Sequence, residues 1–221
     1  MADSERTRTS AAVTRTKLMR AMEKLCARYG VENVTVKAIL QEAGQKNESA
    51  LHYHFNNKEG LIKSIHHARF AQTQSVRREL LRAWLDKNPA PTVHDLCFLL
   101  IAPTFQLCRE DTGHRRWIKA FGARNAVAKQ PILEKDFSDD SSGILIVLGK
   151  LKDLLVHLDE QMFEIRHSMV ARFIALSMSN YANSKNAFRG ESADFFFNNL
   201  IDVIAGIFTA EVSSDTVTLL K

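Results

Sequence analysis

Apolar residues recur along this chain at intervals of three and four almost throughout, which predicts helices and no sheet. A first helix is expected over about Thr14 to Tyr29, with Leu18, Met22, Leu25 and Tyr29 on one stripe, Met19 and Cys26 beside it, and Gly30 at its end. Val36, Ile39, Leu40 and Ala43 then mark a short helix that Thr35 can cap and Gly44 can close. Asn47 is the next cap, and Leu51 and Phe55, four apart, share a face of another short helix. After Asn56-Asn57 a long helix runs from about Lys58 to Leu85, its apolar side built from Leu61, Ile62, Ile65, Ala68, Val76, Leu80, Leu81 and Leu85.

Asn88-Pro89-Ala90-Pro91 is the clearest break in the chain, with Thr92 as a cap beyond it. The next helix covers about Val93 to Glu110 and is expected to kink at Pro103; Gly113 separates it from a helix near Arg115 to Lys129. Pro131 and the cluster Ser138-Asp139-Asp140-Ser141-Ser142 mark a loop. A helix from Gly143 to about Leu158 follows, then a longer one capped by Asp159 and running to about Asn183. Lys185 to Glu191 is a loop, the last helix covers about Ala193 to Glu211, and the tail after Ser213 is expected to fray. No alternating strand pattern and no internal repeat competes with this all-α reading.

The stretch from residue 33 to 62 changes the picture from fold to function. Ser49 and Tyr53 point away from the Leu51–Phe55 face, with His52 and His54 flanking them. A short helix with one apolar edge and an outer edge of small, aromatic and imidazole groups suits a DNA major groove, as in a helix-turn-helix. Two surface helices of an unrelated all-α domain are the plainer alternative on spacing alone. The residues themselves add to this. Thr35-Val36 opening a helix, Ala43-Gly44 closing it, and Leu51-His52-Tyr53-His54-Phe55-Asn56-Asn57-Lys58-Glu59-Gly60-Leu61 resemble the DNA-binding segment of the tetracycline-repressor (TetR) family. Phe55, Lys58 and Leu61 are the most specific part, and the resemblance covers roughly residues 14 to 62. His52 and His54 stand where the family often has tyrosine, and Gly44 to Phe55 is one residue longer than its commonest pattern.

That resemblance implies an amino-terminal three-helix helix-turn-helix domain joined by a long helix to a carboxy-terminal helical domain for ligand binding and dimerisation. The expected division is a disordered arm at 1–12, a DNA-binding domain at 13–60 and the helical domain at 61–221. It also implies a homodimeric repressor that leaves its double-stranded operator DNA when a small hydrophobic effector binds. Thr35 and Lys58, at helix starts, and Tyr53 and His54 are expected on phosphates; Lys46, Asn47, Ser49 and His52 are expected at base edges.

Charge agrees with a nucleic-acid module at one end. Residues 1–85 hold 15 Lys+Arg against 8 Asp+Glu, a net +7, whereas residues 86–221 hold 15 against 17. A solvated basic surface explains the same excess more plainly. Arg6, Arg8 and Arg15 are available to phosphate or a minor groove, although a terminus without a role is the simpler account. Hydrophobic content of 45% supports a real core. No apolar run is long enough for a bilayer, the first residues lack a signal core, and Cys26, Cys97 and Cys108 are odd in number and far apart, so a cytoplasmic protein without disulfides or a membrane partner is expected.

No catalytic motif stands out: there is no Gly-rich phosphate loop, no Gly-x-Ser-x-Gly and no His-Glu-x-x-His. His52/His54 and His66/His67 are spaced so that each pair diverges on a helix, so no metal and no cofactor is expected. His66 itself is expected on the exposed side, a polar group facing a cavity being the alternative. In the carboxy-terminal helices Phe105, Trp117, Phe121, Phe163 and Met169 are the candidates for an effector pocket, an ordinary core being the alternative. The helix from Asp159 is apolar nearly all round in its second half, which calls for burial on more than one side. Phe173, Ser177 and Tyr181 from it, with Phe196, Leu200, Ile204 and Ile207 from the last helix, are therefore expected to form a four-helix dimer interface, the alternative being that they only close the monomer core. A helical enzyme and a DNA-binding protein without a ligand remain the competing readings.

Overall fold

The computed structural model describes residues 2–47, 49–127 and 143–219, and of the helical residues 2–9 and 85 only the backbone. Ten α-helices and one 3-10 turn make up the described chain: α1 (Ala2–Tyr29), the 3-10 turn Val31–Asn33, α2 (Val36–Glu42), α3 (Ser49–Phe55), α4 (Lys58–Leu85), α5 (Val93–Glu110), α6 (Thr112–Val127), α7 (Gly143–Leu154), α8 (Glu160–Tyr181), α9 (Gly190–Thr209) and α10 (Ser214–Leu219). The fold is all-α, as the period of the apolar residues requires.

Helix ends are set by side chains that satisfy the free N–H groups of the first turn. Thr35 accepts from the Ala38 amide, Asn57 from Gly60 and Asp159 from Met162, while Thr92 and Asp95 exchange bonds in a reciprocal capping box. Gly44, at φ 65, gives the left-handed turn that stops α2. Gly60 permits the tight passage from α3 into α4: a Cβ there would stand 2.0 Å from the Phe55 carbonyl oxygen.

Several boundaries differ from the sequence expectation. Helix α1 begins at Ala2, so residues 2–12 continue it where an arm was expected; neither Gly nor Pro interrupts this stretch. The break after α5 falls at Asp111, not Gly113. Asp111 is extended and its carboxylate accepts from the Gly113 and His114 amides, which puts Gly113 inside the first turn of α6. Helix α7 stops at Leu154, four residues early, and the tail forms α10. Pro131, the cluster from Ser138 to Ser142 and the last expected residues of the preceding helix, 128 and 129, lie outside the described residues.

Helices α1, α2 and α3 enclose a small core of Leu18, Met22, Ile39, Leu40, Leu51 and Phe55, to which α4 adds Leu61, Ile62 and Ile65. In the larger body α6 packs along α8 and also against α1, α4 packs on α5, and α9 covers α5 and α8. Gly122 makes the α6–α8 contact close, since a Cβ there would meet Ser179 Cβ at 2.8 Å and the Ala175 carbonyl oxygen at 2.9 Å.

Candidate nucleic-acid interface and cavity

Helix α3 is anchored by Leu51 and Phe55, both buried, and presents Ser49, His52 and Tyr53 to solvent. Asn47 starts it, its Oδ1 accepting from the Ser49 amide at 2.9 Å. Lys46, in the turn before it, and Thr35, at the start of α2, are exposed. Tyr53, 79% exposed, leans its ring edge against His54, 4.9 Å between centroids. His54 is half-buried, and burial, helped by the nearby Arg15 charge, pulls its pKa below the ordinary imidazole value. Of the eight residues expected on DNA, Thr35, Lys46, Asn47, Ser49, His52 and Tyr53 are exposed and His54 is half-buried.

Lys58 is the exception. Its Nζ turns back to donate to the Val31 carbonyl oxygen at 2.8 Å, closing the 3-10 turn against α4. Arg15 moves the other way. It stands on α1 with its guanidinium 5.2 Å from the centre of the Phe55 ring, which places an exposed cation beside the recognition helix.

The module is tied to the body by a charge cluster. Arg69 of α4 bonds both oxygens of Glu23 on α1 and one oxygen of Asp111 between α5 and α6. Burial raises the Glu23 pKa, an effect its bonds to Arg69 only partly reverse. Burial works against the charge on Asp111 as well, but there the Gly113 amide and Arg69 outweigh it and hold the carboxyl below its ordinary value.

Below this cluster α4, α5, α6, α7 and α8 surround two joined lobes of a cavity, about 500 Å³ and about 200 Å³. Arg77, Thr104, Trp117, Ile144, His167 and Ala171 line both. Of the expected pocket residues, Trp117 and Phe163 face this space. The other three do not. Phe105 packs among Phe188, Phe196 and Phe197, because α9 lies across α5 there. Phe121 is fully buried, its ring edge-on to His66, and Met169 points outward from α8, 56% exposed. His66 is a further correction. It is 1% exposed, Trp117 Nε1 donates to its Nδ1 at 3.0 Å, and burial pushes its pKa down to about 4.

Sequence reasoning passed over Arg77, whose charge reads as outward on a helix. The available signal was its register: His66, Thr73, Arg77 and Leu81 follow one another at seven, four and four residues along one side of α4, and all four are buried. Burial holds the Arg77 pKa down to about 10. All three cysteines are buried thiols; burial pushes Cys26 up to about 11 and Cys97 up to about 12, which removes thiolate chemistry from both. Among the described residues no group of three or more His, Cys, Asp or Glu could hold a metal, and no helix is long and apolar enough to cross a membrane.

The expected dimer residues separate into two sets. Leu200 and Ile204 are 3% and 0% exposed within the single chain, because the apolar stripe of α9 is already spent on α5 and α8. Tyr181 and Phe196 stack on one another, 3.9 Å between centroids, and Ser177 and Ile207 are half-buried. Phe173 is exposed, and it continues a stripe of Ile165, Met169 and Leu176 along the outer side of α8.

Residues 18–65 match the family profile of the bacterial regulatory proteins of the tetR family. Among solved structures, the fatty acid degradation regulator FadR from Bacillus halodurans is similar at 15% identity and a TM-score of 0.49, covering 89% of this chain and 95% of its own. GusR of Salmonella enterica is similar at 19% identity and a TM-score of 0.40, covering 89% and 96%. A comparison with curated protein sequences finds no match. The matched segment contains the α2–turn–α3 unit with its exposed Ser49, His52 and Tyr53, so the amino-terminal part of the chain is similar to the DNA-binding segment of the bacterial tetR-family regulators.

Proposed function

We propose that this chain is a homodimeric transcriptional repressor of the cytoplasm, without enzymatic activity, that a small and mainly apolar effector releases from operator DNA. One observation carries the reading. Helix α4 begins where α3 ends and, at Phe70, Thr73 and Arg77, forms a wall of the cavity. A molecule filling that cavity therefore touches the same helix that positions the recognition helix. Thr35, Lys46, Asn47, Ser49, His52, Tyr53, His54 and Lys58 remain the proposed DNA contacts, with Arg15 added beside them.

Dimerisation supports the geometry, because two recognition helices must enter major grooves about 34–36 Å apart. The exposed apolar stripe on α8 offers a second copy a surface for this, with Phe173 at its centre. A tilt of α4 in each subunit alters that separation. The effector shifts the balance only by its preference for the released state, typically about 1–3 kcal/mol, and operator DNA must weaken effector binding by the same factor.

The test is a gel shift on the DNA upstream of the gene, followed by calorimetry of a releasing compound with and without operator. Equal affinities in the two titrations exclude release by that compound. A protein that shifts no DNA at any salt concentration excludes the repressor.

A further inference from the structure

We infer that the effector is an organic anion, a carboxylate or phosphate on an apolar body, whose charged group is held by Arg77. This rests on reading the cavity as the effector site. Arg77 is 5% exposed and lines both lobes. Its Nε donates to the Leu99 carbonyl oxygen at 3.4 Å, Nη2 to that of Leu100 at 3.1 Å, and Nη1 to Gln74 Oε1 at 2.8 Å.

Part of this arrangement is structural. Pro103 has no N–H, so the Leu99 carbonyl four residues before it lacks its helical partner, and Arg77 supplies one. That explains an arginine's donors and leaves its charge unanswered. All three acceptors are neutral, and a guanidinium has five N–H donors, so two have no acceptor among the described residues. Among the described residues no nearby charge offsets its burial, in contrast to Arg69, which lies between two carboxylates. A buried charge without a counter-charge is costly, and an entering anion offsets that cost.

The rest of the cavity fits such a guest. The smaller lobe has Arg77, Arg172 and His167 in its wall and, among the described residues, no carboxylate, with Ile118, Val170 and Met178 as apolar surface. Thr104 stands on the shared wall and can donate a second bond. The two carboxylates described in the wall of the larger lobe are solvent-exposed and pair with neighbours in that same wall, Glu160 with Lys152 and Glu164 with His167 at 3.9 Å, so neither reaches Arg77 as a partner. Volumes of about 500 Å³ and about 200 Å³ admit a body of fatty-acid or bicyclic-aromatic size.

The test uses the full chain and calorimetry with decanoate, decyl phosphate and 2-naphthoate against decanol and 2-naphthol. At least one anion is expected to bind about tenfold or more tightly than the alcohol of the same body, the size of a charge-assisted bond. Whether carboxylate or phosphate wins identifies the headgroup. Arg77→Gln keeps donors for the Leu99 and Leu100 carbonyls and should abolish the preference, while Arg77→Lys should retain part of it. Circular dichroism melts check that both variants fold, and the wild-type comparison stands by itself if they do not. Alcohols binding as tightly as their anions, no binding by any anion, or an unchanged preference in Arg77→Gln each overturn the inference. A parallel gel shift keeps the two readings apart: anion binding without any DNA binding sinks the repressor alone, and DNA binding without anion binding sinks the anion site alone.

Discussion

Arg69 grips Glu23 by both carboxylate oxygens, Nε to Oε1 at 2.7 Å and Nη2 to Oε2 at 2.8 Å, and so fastens α4 to α1. The same guanidinium reaches Asp111, so one side chain joins the DNA module, the long helix and the α5–α6 junction. Gly113 makes room for it, since a Cβ there would stand 2.1 Å from Arg69 Nη2.

Removing one partner should cost much more than removing both. Arg69→Met strands Glu23, which is 3% exposed, and is expected to destabilise the chain by roughly 3–5 kcal/mol. Arg69→Met with Glu23→Leu should recover most of that loss. Urea unfolding of the two singles and the double measures it. A single-variant loss below about 1 kcal/mol would show that the cluster does not hold the module.

Tyr53 and Lys58 should separate DNA binding from folding. Tyr53 is exposed and makes no bond that the fold needs, so Tyr53→Phe should leave the melting temperature unchanged and weaken all DNA sequences alike. Lys58→Ala removes the bond to Val31 and should cost about 1 kcal/mol of stability. If its ammonium also meets a phosphate, the salt dependence of binding should flatten by about one counterion. Unchanged affinity and salt slope in Lys58→Ala would confine that residue to the fold.

Acid should unfold the protein through two buried imidazoles. Burial holds His66 down to about 4 and, with the Arg69 charge adding to it, His114 down to about 3. In the unfolded chain both take a proton near pH 6.5, roughly the ordinary value. Between those limits the unfolded state binds more protons, so stability falls as pH drops from about 6.5 toward 4, by up to roughly 1.4 kcal/mol per pH unit for each histidine. His114→Phe should lower that slope. Denaturation curves at a series of pH values test it, and a variant slope parallel to wild type would clear His114 of the effect.

Charge placed on the outer stripe of α8 should dissociate a dimer without unfolding the chain. Phe173 and Met169 are 38% and 56% exposed, so Phe173→Glu with Met169→Glu leaves the internal core intact. Light scattering should report a dimer for wild type and a monomer for the variant, with operator affinity lost alongside. A variant that stays dimeric moves the interface elsewhere.

The caps at Thr35, Asn47, Asn57, Thr92 and Asp159 and the left-handed turn at Gly44 were open to reading because each is a local event, a side chain meeting an amide two or three residues away. The outer face of α3 followed from the same local geometry once Leu51 and Phe55 were known to point inward. What a stripe packs against is a different question. Period places Leu200 and Ile204 on one side of α9, but only the crossing of α5 and α8 decided that this side closes the single chain, leaving Phe173 and Met169 outside. For polar residues the period gives the face and not the partner. His66 turns inward because Trp117 brings it a donor, and Arg77 because Pro103 leaves it a carbonyl. Both partners come from other helices, so the chemistry of the cavity was settled by tertiary packing and not by the neighbours in sequence.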